Sequence, residues 1–521
     1  MPLHWKGPAL RRSIGFLIAV SVAAGCGHPL QRSHHDPLDW RRIDTDREYL
    51  KAHMHNGDIY VLCCWNVDEA ARRVAGKGTL QSPGRDTVAT GDLSVAIDSV
   101  ALFETNALDL SPVFVPLGIL TVASIGMTAY CAANPKACFG SCPTFYLDEN
   151  DERPVAEGFS ASIAPSLEAA DIDALDRRGD AGDSVVITMR NEALETHVVR
   201  SVTLLAAPCR SGERVLATPE GKLWRQTARL APTRCRAPEG DCAAVLAETD
   251  GIERFSLASE TDLAEREEIE IDFGAVPAGD WALALTSRQT LLTTFLFYQT
   301  LAHMGTKAGE WFAALERGEP GARAAITGLE DALGGIEVLL PDSASAWTVV
   351  ATLSEAGPIA SDTHVVPLPH CPQTPARLRL RMSRGLWRLD SVALVELSGP
   401  CEPVRIEPTA VLVDGDPDEF ALSKLTRGNT PLTTLPGDRY TLVFHLPEIR
   451  GNDERHYELF LESQGYYIEW MRQEWLAEED AVKLAEILWN PRAALRTMAP
   501  EFKKRESTME AAFWSSRYAN P

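Results

Sequence analysis

The sequence has few basic residues for its length. It contains 50 lysines and arginines against 73 aspartates and glutamates in 521 residues, which gives a formal net charge of −23 at pH 7. A chain with this charge is repelled by the phosphate backbone of DNA or RNA and by anionic lipid head groups. We therefore expect no nucleic-acid partner. The composition is otherwise that of a globular protein, with 45% hydrophobic and 24% charged residues.

The sequence also lacks the short motifs that identify common enzyme classes. It contains no Gly-x-Ser-x-Gly elbow, no HExxH helix, no P-loop and no dinucleotide fingerprint. The acidic runs at 148–152 and 414–419 alternate oxygen-bearing side chains, but neither has the sixth-position glycine and twelfth-position glutamate of an EF-hand. We therefore expect solvated acidic turns there, no metal and no other cofactor. A binding or scaffolding role is favoured over an enzyme.

The N-terminus carries the pattern of an export signal. Lys6, Arg11 and Arg12 form a positive region, an apolar stretch follows at 13–25, and Cys26 comes after small residues. The sequence around Cys26 resembles the lipobox of bacterial lipoproteins. That resemblance implies removal of residues 1–25, lipid on Cys26 and a lipid-anchored position in the cell envelope. An uncleaved membrane anchor is the alternative.

The residues that follow Cys26 imply where the anchored chain would reside and how it begins. Gly27, rather than an aspartate, stands after Cys26, and by the same resemblance this favours the outer membrane over the inner. The polar stretch 26–45 predicts a tether between the lipid and the folded part. The membrane is thus one expected partner, and an envelope protein or glycan is a possible second.

The remaining cysteines suggest disulfides. Of 11 cysteines, setting Cys26 aside leaves ten, an even number in an oxidising compartment. Cys235 and Cys242 flank a turn-forming stretch and are predicted to pair locally. Cys371 and Cys401 lie at the ends of a strand-like segment and form a second predicted pair.

Alternating hydrophobicity predicts a mainly β fold with added helices, of the α+β class. We expect a small β-module at 46–105, in which Asn56-Gly57 forms a hairpin turn that sets His53 opposite Tyr60. The adjacent Cys63 and Cys64 are interpreted as small core residues. The later segments predicted from the same patterns are a β-sandwich-like domain at 147–335 with a helical patch at 288–318, a second at 336–450, and an aromatic-rich segment with helices at 451–521.

An apolar helix followed by a cysteine-rich turn is predicted at 106–146. Residues 113–133 carry no charge, and three readings remain open for them: a helix buried against the protein, a segment that dips into the membrane or docks a partner, and a membrane span. Cys131, Cys138 and Cys142 follow closely. They form either a disulfide with one cysteine left over, which we favour, or a thiol or metal site of an envelope enzyme.

A row of arginines is the one dense basic feature of the chain. Arg377, Arg379 and Arg381 share one face of a predicted strand because side chains alternate along a strand. This face could bind an anionic ligand such as a sugar acid or a lipid phosphate. The interpretation that we prefer pairs it with the protein's own carboxylates.

Several stretches together resemble one family of bacterial lipoproteins that has no assigned activity. The clearest are CFGSCPTFY at 138–146, GFSASIAPSLE at 158–168, YELFLESQGYYIEWM at 457–471 and FWSSRY at 513–518. More weakly, the pattern from 191 onwards is similar to β-rich modules beside repeat domains in exported proteins. Both resemblances imply a location and a fold class, and neither supplies a catalytic residue.

Overall fold

The structure is a computed structural model of the full chain. It describes residues 30–35, 37–43, 49–54, 58–81, 87–108, 142–147, 153–193, 195–308, 311, 328–341, 346–354, 357–369, 376–426, 431–448, 454–469 and 478–515. Cys26, Cys131, Cys138, Cys371 and the apolar run 113–133 lie outside these ranges.

The structure is mainly β, with 51% of the described residues in strands and 19% in helices, which confirms the predicted fold class. The strands are β1 (Leu30–His35), β2 (Tyr49–Met54), β3 (Ile59–Asp68), β4 (Arg73–Gln81), β5 (Thr87–Ala96), β6 (Val100–Leu108), β7 (Thr144–Tyr146), β8 (Ala156–Glu157), β9 (Ala169–Gly179), β10 (Ser184–Arg190), β11 (Glu195–Arg210), β12 (Arg214–Ala217), β13 (Leu223–Leu230), β14 (Arg234–Ala237), β15 (Gly240–Asp241), β16 (Arg254–Phe255), β17 (Arg266–Asp272), β18 (Trp281–Gln289), β19 (Ile336–Pro341), β20 (Trp347–Leu353), β21 (Asp362–Pro367), β22 (Arg377–Ser383), β23 (Trp387–Pro400), β24 (Val404–Ile406), β25 (Ala410–Val413), β26 (Asp416–Pro417), β27 (Leu432–Thr434), β28 (Arg439–His445) and β29 (Glu454–Glu469). The α-helices with defined bounds in the described part of the chain are α1 (Leu292–Met304), α2 (Glu419–Thr426), α3 (Ala481–Trp489) and α4 (Pro491–Ser515).

The N-terminal module is a six-stranded sheet in the order β1-β6-β2-β3-β4-β5. It begins at Leu30, inside the stretch predicted as a tether, because β1 pairs with β6. Trp40 and Ile43, which follow in the same stretch, are buried in the core of this module. The folded part therefore starts before residue 46.

The hairpin register differs from the prediction by one position. His53 pairs with Ile59 rather than with Tyr60, and the Met54 N–H donates to the Asp58 carbonyl at 2.9 Å. Three residues, not two, therefore separate the paired ends of the strands.

Two sheets form a β-sandwich around one core. Sheet 2 runs β26-β25-β28-β10-β7-β8, and sheet 3 runs β24-β11-β29-β9 with β27 also paired to β11. Apolar side chains from both sheets meet between them, among them Ile187, Leu204, Phe444 and Leu461. Burial of such side chains is the main force that holds two sheets together.

The strands of this sandwich come from distant parts of the chain. β10 pairs with β28 along its whole length, and β11 pairs with β29 over residues 195–210 and 454–469. Strands on either side of the predicted boundary at 335 and 336 are thus neighbours. The two sandwich-like units were predicted as consecutive, but their strands are interleaved. The sequence analysis missed this because local patterns identify strands and not their partners.

Two further sheets and the helices α1, α3 and α4 contribute to a second core. Sheet 4 runs β13-β12-β21-β18-β23-β16, and an additional β13–β23 pairing closes five of its strands into a ring. Sheet 5 runs β15-β14-β17-β22-β19-β20. Phe295 of α1 and Phe502 of α4 pack in this core with ring centroids 5.3 Å apart. Phe297 of α1 packs against both cores, so this helix connects them.

Local sequence signals mark the start of α3 and the junction between α3 and α4. The Asp480 carboxylate accepts hydrogen bonds from the N–H groups of Val482 and Lys483 at the start of α3. α3 ends at Trp489, and Pro491 opens α4, because proline has no N–H to continue a helix. The predicted helical patch corresponds to α1, in which His303 is buried.

Candidate functional site

The long antiparallel ribbon formed by β11 and β29 positions two groups of ionisable side chains. At one end, Glu195 pairs with Glu469 and His197 pairs with Tyr467. At the other end, Cys209 pairs with His456. The two ends lie about 40 Å apart, at about 3.3 Å per residue. The ribbon therefore carries two separate polar clusters.

The first cluster, here the Cys142 cluster, consists of Cys142, Glu195, His197, Tyr467 and Glu469. Nε2 of His197 lies 2.9 Å from Oε1 of Glu195, and both side chains are fully buried. The Tyr467 hydroxyl donates to the Ser160 carbonyl at 3.1 Å. Helix α1 contributes Tyr298, whose hydroxyl donates to Oε1 of Glu469 at 2.5 Å. The sandwich core thus encloses a connected polar group at this end of the ribbon.

The electrostatics of this cluster keep its thiol protonated. Burial raises the pKa of Cys142 well above its usual range, and the charges of Glu157 and Glu195 raise it further. Burial also raises the pKa of Tyr467 well above its usual range. Reactive cysteines need an electropositive, partly exposed setting that stabilises the thiolate. The surroundings of Cys142 are the opposite, so its thiol is unsuited to nucleophilic catalysis.

A pair of carboxyl groups adjoins the Cys142 cluster. Oε2 of Glu157 accepts a hydrogen bond from the Ile359 N–H at 2.8 Å, and burial raises the Glu157 pKa to about 7. Asp173 accepts a hydrogen bond from the Glu157 backbone N–H at 3.5 Å, and burial raises its pKa well above the usual range. Asp173 therefore favours its neutral form far more than an ordinary aspartate does, whereas Glu157 exchanges its proton near neutral pH.

The second cluster, here the Cys209 cluster, consists of Cys209, His456 and Glu458. One ligand atom from each residue lies within 4.8 Å of both others. Burial raises the pKa of Cys209 to about 12, with further contributions from Glu458 and Cys401. Oε1 of Glu458 forms ion pairs with two arginines, Arg178 and Arg214. This cluster is the group of potential metal ligands in the part of the chain that the structure describes.

The predicted arginine face is paired with acidic residues of the same sheet. Arg379 lies 3.2 Å from Glu268 and 3.0 Å from Glu270, and Arg377 lies 3.9 Å from Glu270. Arg381 pairs with Glu337 at 2.5 Å. The acidic partners come from β19 and from β17, which lies between β14 and β22. The face therefore offers little unpaired positive charge to an anionic ligand.

The described cysteines fall into distinct environments. Cys235 and Cys242 lie at disulfide-bonding distance, with Cα atoms 5.0 Å apart. Cys64 is exposed and Cys63 is half-buried, so the interpretation of these two as core residues was wrong. Their strand is irregular there, since its register to β4 shifts between Cys63 and Asn66 and Cys64 has a φ of 47°. That irregularity turns the pair away from the core.

The other predicted cysteine sites are only partly described. Cys401 is buried in the same small core as Cys209, and its predicted partner Cys371 lies outside the described residues. Cys26, Cys131 and Cys138 lie outside them too, so lipidation and the cysteine-rich turn stay predictions. Among the helices that the structure describes, none combines the length and the apolar character needed to cross a membrane.

A short exposed apolar patch lies on the surface at Ile252, Phe255 and Leu257, which are 63%, 42% and 54% exposed. The backbone beneath it is held firmly. The carboxylate of buried Asp390 accepts a hydrogen bond from the Gly251 N–H at 3.0 Å. Arg254, which is 5% exposed, pairs with Glu267 and Glu239 at 2.7 Å each. We call these three apolar side chains the 252–257 patch.

The Cys209 cluster and the 252–257 patch escaped the sequence analysis. The histidine and glutamate of the cluster alternate within β29, but their cysteine partner lies 247 positions earlier, and no local pattern joins them. Three large apolar residues spaced among polar ones at 252–257 were available as a weak signal. No family model matches the chain, and no curated protein matches it, so the functional inference depends on its own residues.

Proposed function

We propose that this chain is a lipid-anchored protein of the bacterial cell envelope that binds a protein partner through the 252–257 patch. The anchoring half depends on the lipobox-like sequence at Cys26 and on the family resemblance. The Cys235–Cys242 pair supports an oxidising compartment, because such bonds persist mainly in exported proteins.

The exposed apolar side chains of the 252–257 patch are the single observation that supports the proposed binding of a protein partner. Large apolar side chains grouped on a surface are a mark of interaction sites. The backbone under them is held by the buried Arg254–Glu267 ion pair and by the partly exposed Arg254–Glu239 pair, so little conformational entropy would be lost when a partner binds.

The chemistry of the patch fits a protein better than a glycan. Sugar-binding sites present open aromatic faces, but the guanidinium of Arg388 lies over the single ring of the patch, 3.9 Å from the centroid of Phe255. Ile252 and Leu257 are aliphatic and offer no hydrogen bonds to sugar hydroxyls. An apolar surface of a protein is therefore the proposed occupant.

In-cell photo-crosslinking tests the binding half. A benzophenone amino acid placed at Phe255 is expected to capture a protein, and the matched exposed position Val88, which is 62% exposed, is expected to capture none. Leu257→Ser added to the Phe255 probe is expected to abolish the product. Equal capture at both positions, capture of glycan alone, or no product at Phe255 would overturn this half.

Fractionation tests the anchoring half. The Cys26→Ser variant is expected to leave the membrane fraction, because it cannot accept lipid. Retention of the variant in the membrane would overturn lipid anchoring and would instead point to an uncleaved N-terminal anchor or to residues 113–133.

A further inference from the structure

The end of the β11–β29 ribbon opposite the Cys142 cluster carries the Cys209 cluster. Neither the proposed lipid anchor nor the 252–257 patch involves these side chains. Cys209 and His456 are direct cross-strand partners, so their side chains lie on the same face of the sheet. Glu458 follows two positions after His456 and shares that face, because side chains alternate along a strand. The fold thus brings a thiol, an imidazole and a carboxylate together from residues far apart in the sequence.

We propose that Cys209, His456 and Glu458 form a binding site for a divalent transition-metal ion of the zinc class, which joins β11 to β29. Each residue offers a ligand atom within 4.8 Å of the other two. The ligands of a tetrahedral zinc ion lie about 3.5 Å apart, given bond lengths of about 2.0–2.3 Å. Side-chain adjustments of about 1 Å are enough to close this difference.

The imidazole supplies an independent observation. Nε2 of His456 is buried and has no hydrogen-bond partner among the residues that the structure describes. A buried ring nitrogen without a partner costs free energy, and a coordinated metal ion removes that cost. This nitrogen is therefore placed as a ligand and not as a member of a protein hydrogen-bond network.

The mixture of donor atoms identifies the class of ion. Calcium and magnesium require oxygen ligands, whereas a thiolate and an imidazole favour borderline and soft ions. Cysteine sulfur, histidine nitrogen and one carboxylate oxygen are all ordinary zinc ligands. Three protein ligands leave a fourth coordination position for water or for another donor at the site.

The surroundings orient the carboxylate for this role. The guanidinium groups of Arg178 and Arg214 lie 3.0 Å and 2.6 Å from Oε1 of Glu458. Both contacts fall on Oε1, so Oε2 is the oxygen that a cation would take. Outer-shell contacts of this kind fix the direction of a metal ligand. The two arginines are 53% and 42% exposed, which leaves much of their positive charge solvated.

Metal titration of the purified full-length protein tests the site. After chelation under reducing conditions and dialysis, the wild type is expected to bind one zinc ion per chain and to unfold at a higher temperature with zinc than without it. Cobalt is expected to give a thiolate-to-cobalt charge-transfer band. His456→Gln is expected to weaken zinc binding at least tenfold and to remove most of the thermal shift.

Matched variants separate the site from general damage. Cys142→Ser and His303→Gln alter a buried cysteine and a buried histidine elsewhere, and both are expected to bind zinc as the wild type does. The inference is overturned if the wild type binds no zinc, if His456→Gln binds as tightly as the wild type, or if non-reducing mass spectrometry of protein from cells finds Cys209 bonded to Cys401. The measurements on the wild type decide the question even if a variant does not fold.

Discussion

Glu157 is expected to make the stability of this protein fall as the pH rises from 4.5 to about 7. Burial raises its pKa from 4.5 to about 7, while hydrogen bonds from the backbone N–H groups of Ile359 and Ala360 oppose the shift. The folded state therefore holds the proton more tightly than the unfolded state does. The packing is close, because a Cβ atom added to Gly357 would meet Oε2 of Glu157 at 2.0 Å.

The sign and size of the effect follow from proton linkage. Below pH 4.5 the carboxyl group is protonated in both states, and its contribution to stability is fully present. Between pH 4.5 and 7 only the folded state keeps the proton, so the contribution decreases, and above pH 7 it is lost. A pKa difference of this size, at about 1.36 kcal/mol per pKa unit, corresponds to about 3 kcal/mol in the free energy of unfolding.

Urea unfolding of the wild type and of Glu157→Gln, from pH 4 to pH 8, measures this effect. Glutamine cannot titrate, so the difference between the two free energies isolates Glu157 from other groups. We expect that difference to change by about 3 kcal/mol in favour of the variant as the pH rises. Glu407→Gln, at an exposed position, serves as the control and should show no such trend. A difference between wild type and Glu157→Gln that stays constant with pH would refute the reasoning.

Three further predictions concern packing, buried charge and thiol access. Gly465→Ala should lower the free energy of unfolding by about 3 kcal/mol, because the added Cβ would lie 2.3 Å from a backbone carbonyl of β11; urea unfolding measures this. Arg254→Met should also cost about 3 kcal/mol in the same assay, because it leaves the carboxylate of Glu267 buried without its ion pair. In native protein, mass spectrometry after brief alkylation should find Cys64 modified and Cys142 unmodified, because the first is exposed and the second is buried.

Each of these has a matched control. Gly328→Ala should leave stability nearly unchanged, because the nearest atom to its new Cβ lies at 3.7 Å. Arg72→Met, which removes an exposed ion pair with Asp98, should also have little effect. A loss as large in the controls as in Gly465→Ala and Arg254→Met would contradict the packing and charge arguments. Equal alkylation of both cysteines would contradict the burial of Cys142.

Local patterns in the sequence predicted the local features of the fold. Alternation of apolar and polar residues identified a mainly β protein, and α3 and α4 lie in the C-terminal segment where helices were expected. The short separation of Cys235 and Cys242 identified their pairing. The arginine row on β22 was correctly associated with the protein's own carboxylates, because its strand is densely basic in an acidic chain.

Long-range pairing could not be predicted in the same way. The contact of Cys209 with His456 exists only because β11 pairs with β29, and nothing in either strand specifies the other. The Cys142 cluster likewise draws on Glu195 and Glu469, which are far apart in sequence. The environment of Cys63 and Cys64 was missed because the interpretation used only the residue type, and the irregularity in their strand has no signal in the local sequence.

Covalent lipid on Cys26 is what would place this protein at a membrane in the proposed function. Mass spectrometry of the N-terminal peptide, taken from protein isolated from bacterial membranes, measures this most directly. We predict a mature chain that begins at Cys26 and carries the mass of a lipid-modified cysteine. An N-terminal peptide that retains residues 1–25, or one that begins at an unmodified Cys26, would contradict lipid anchoring.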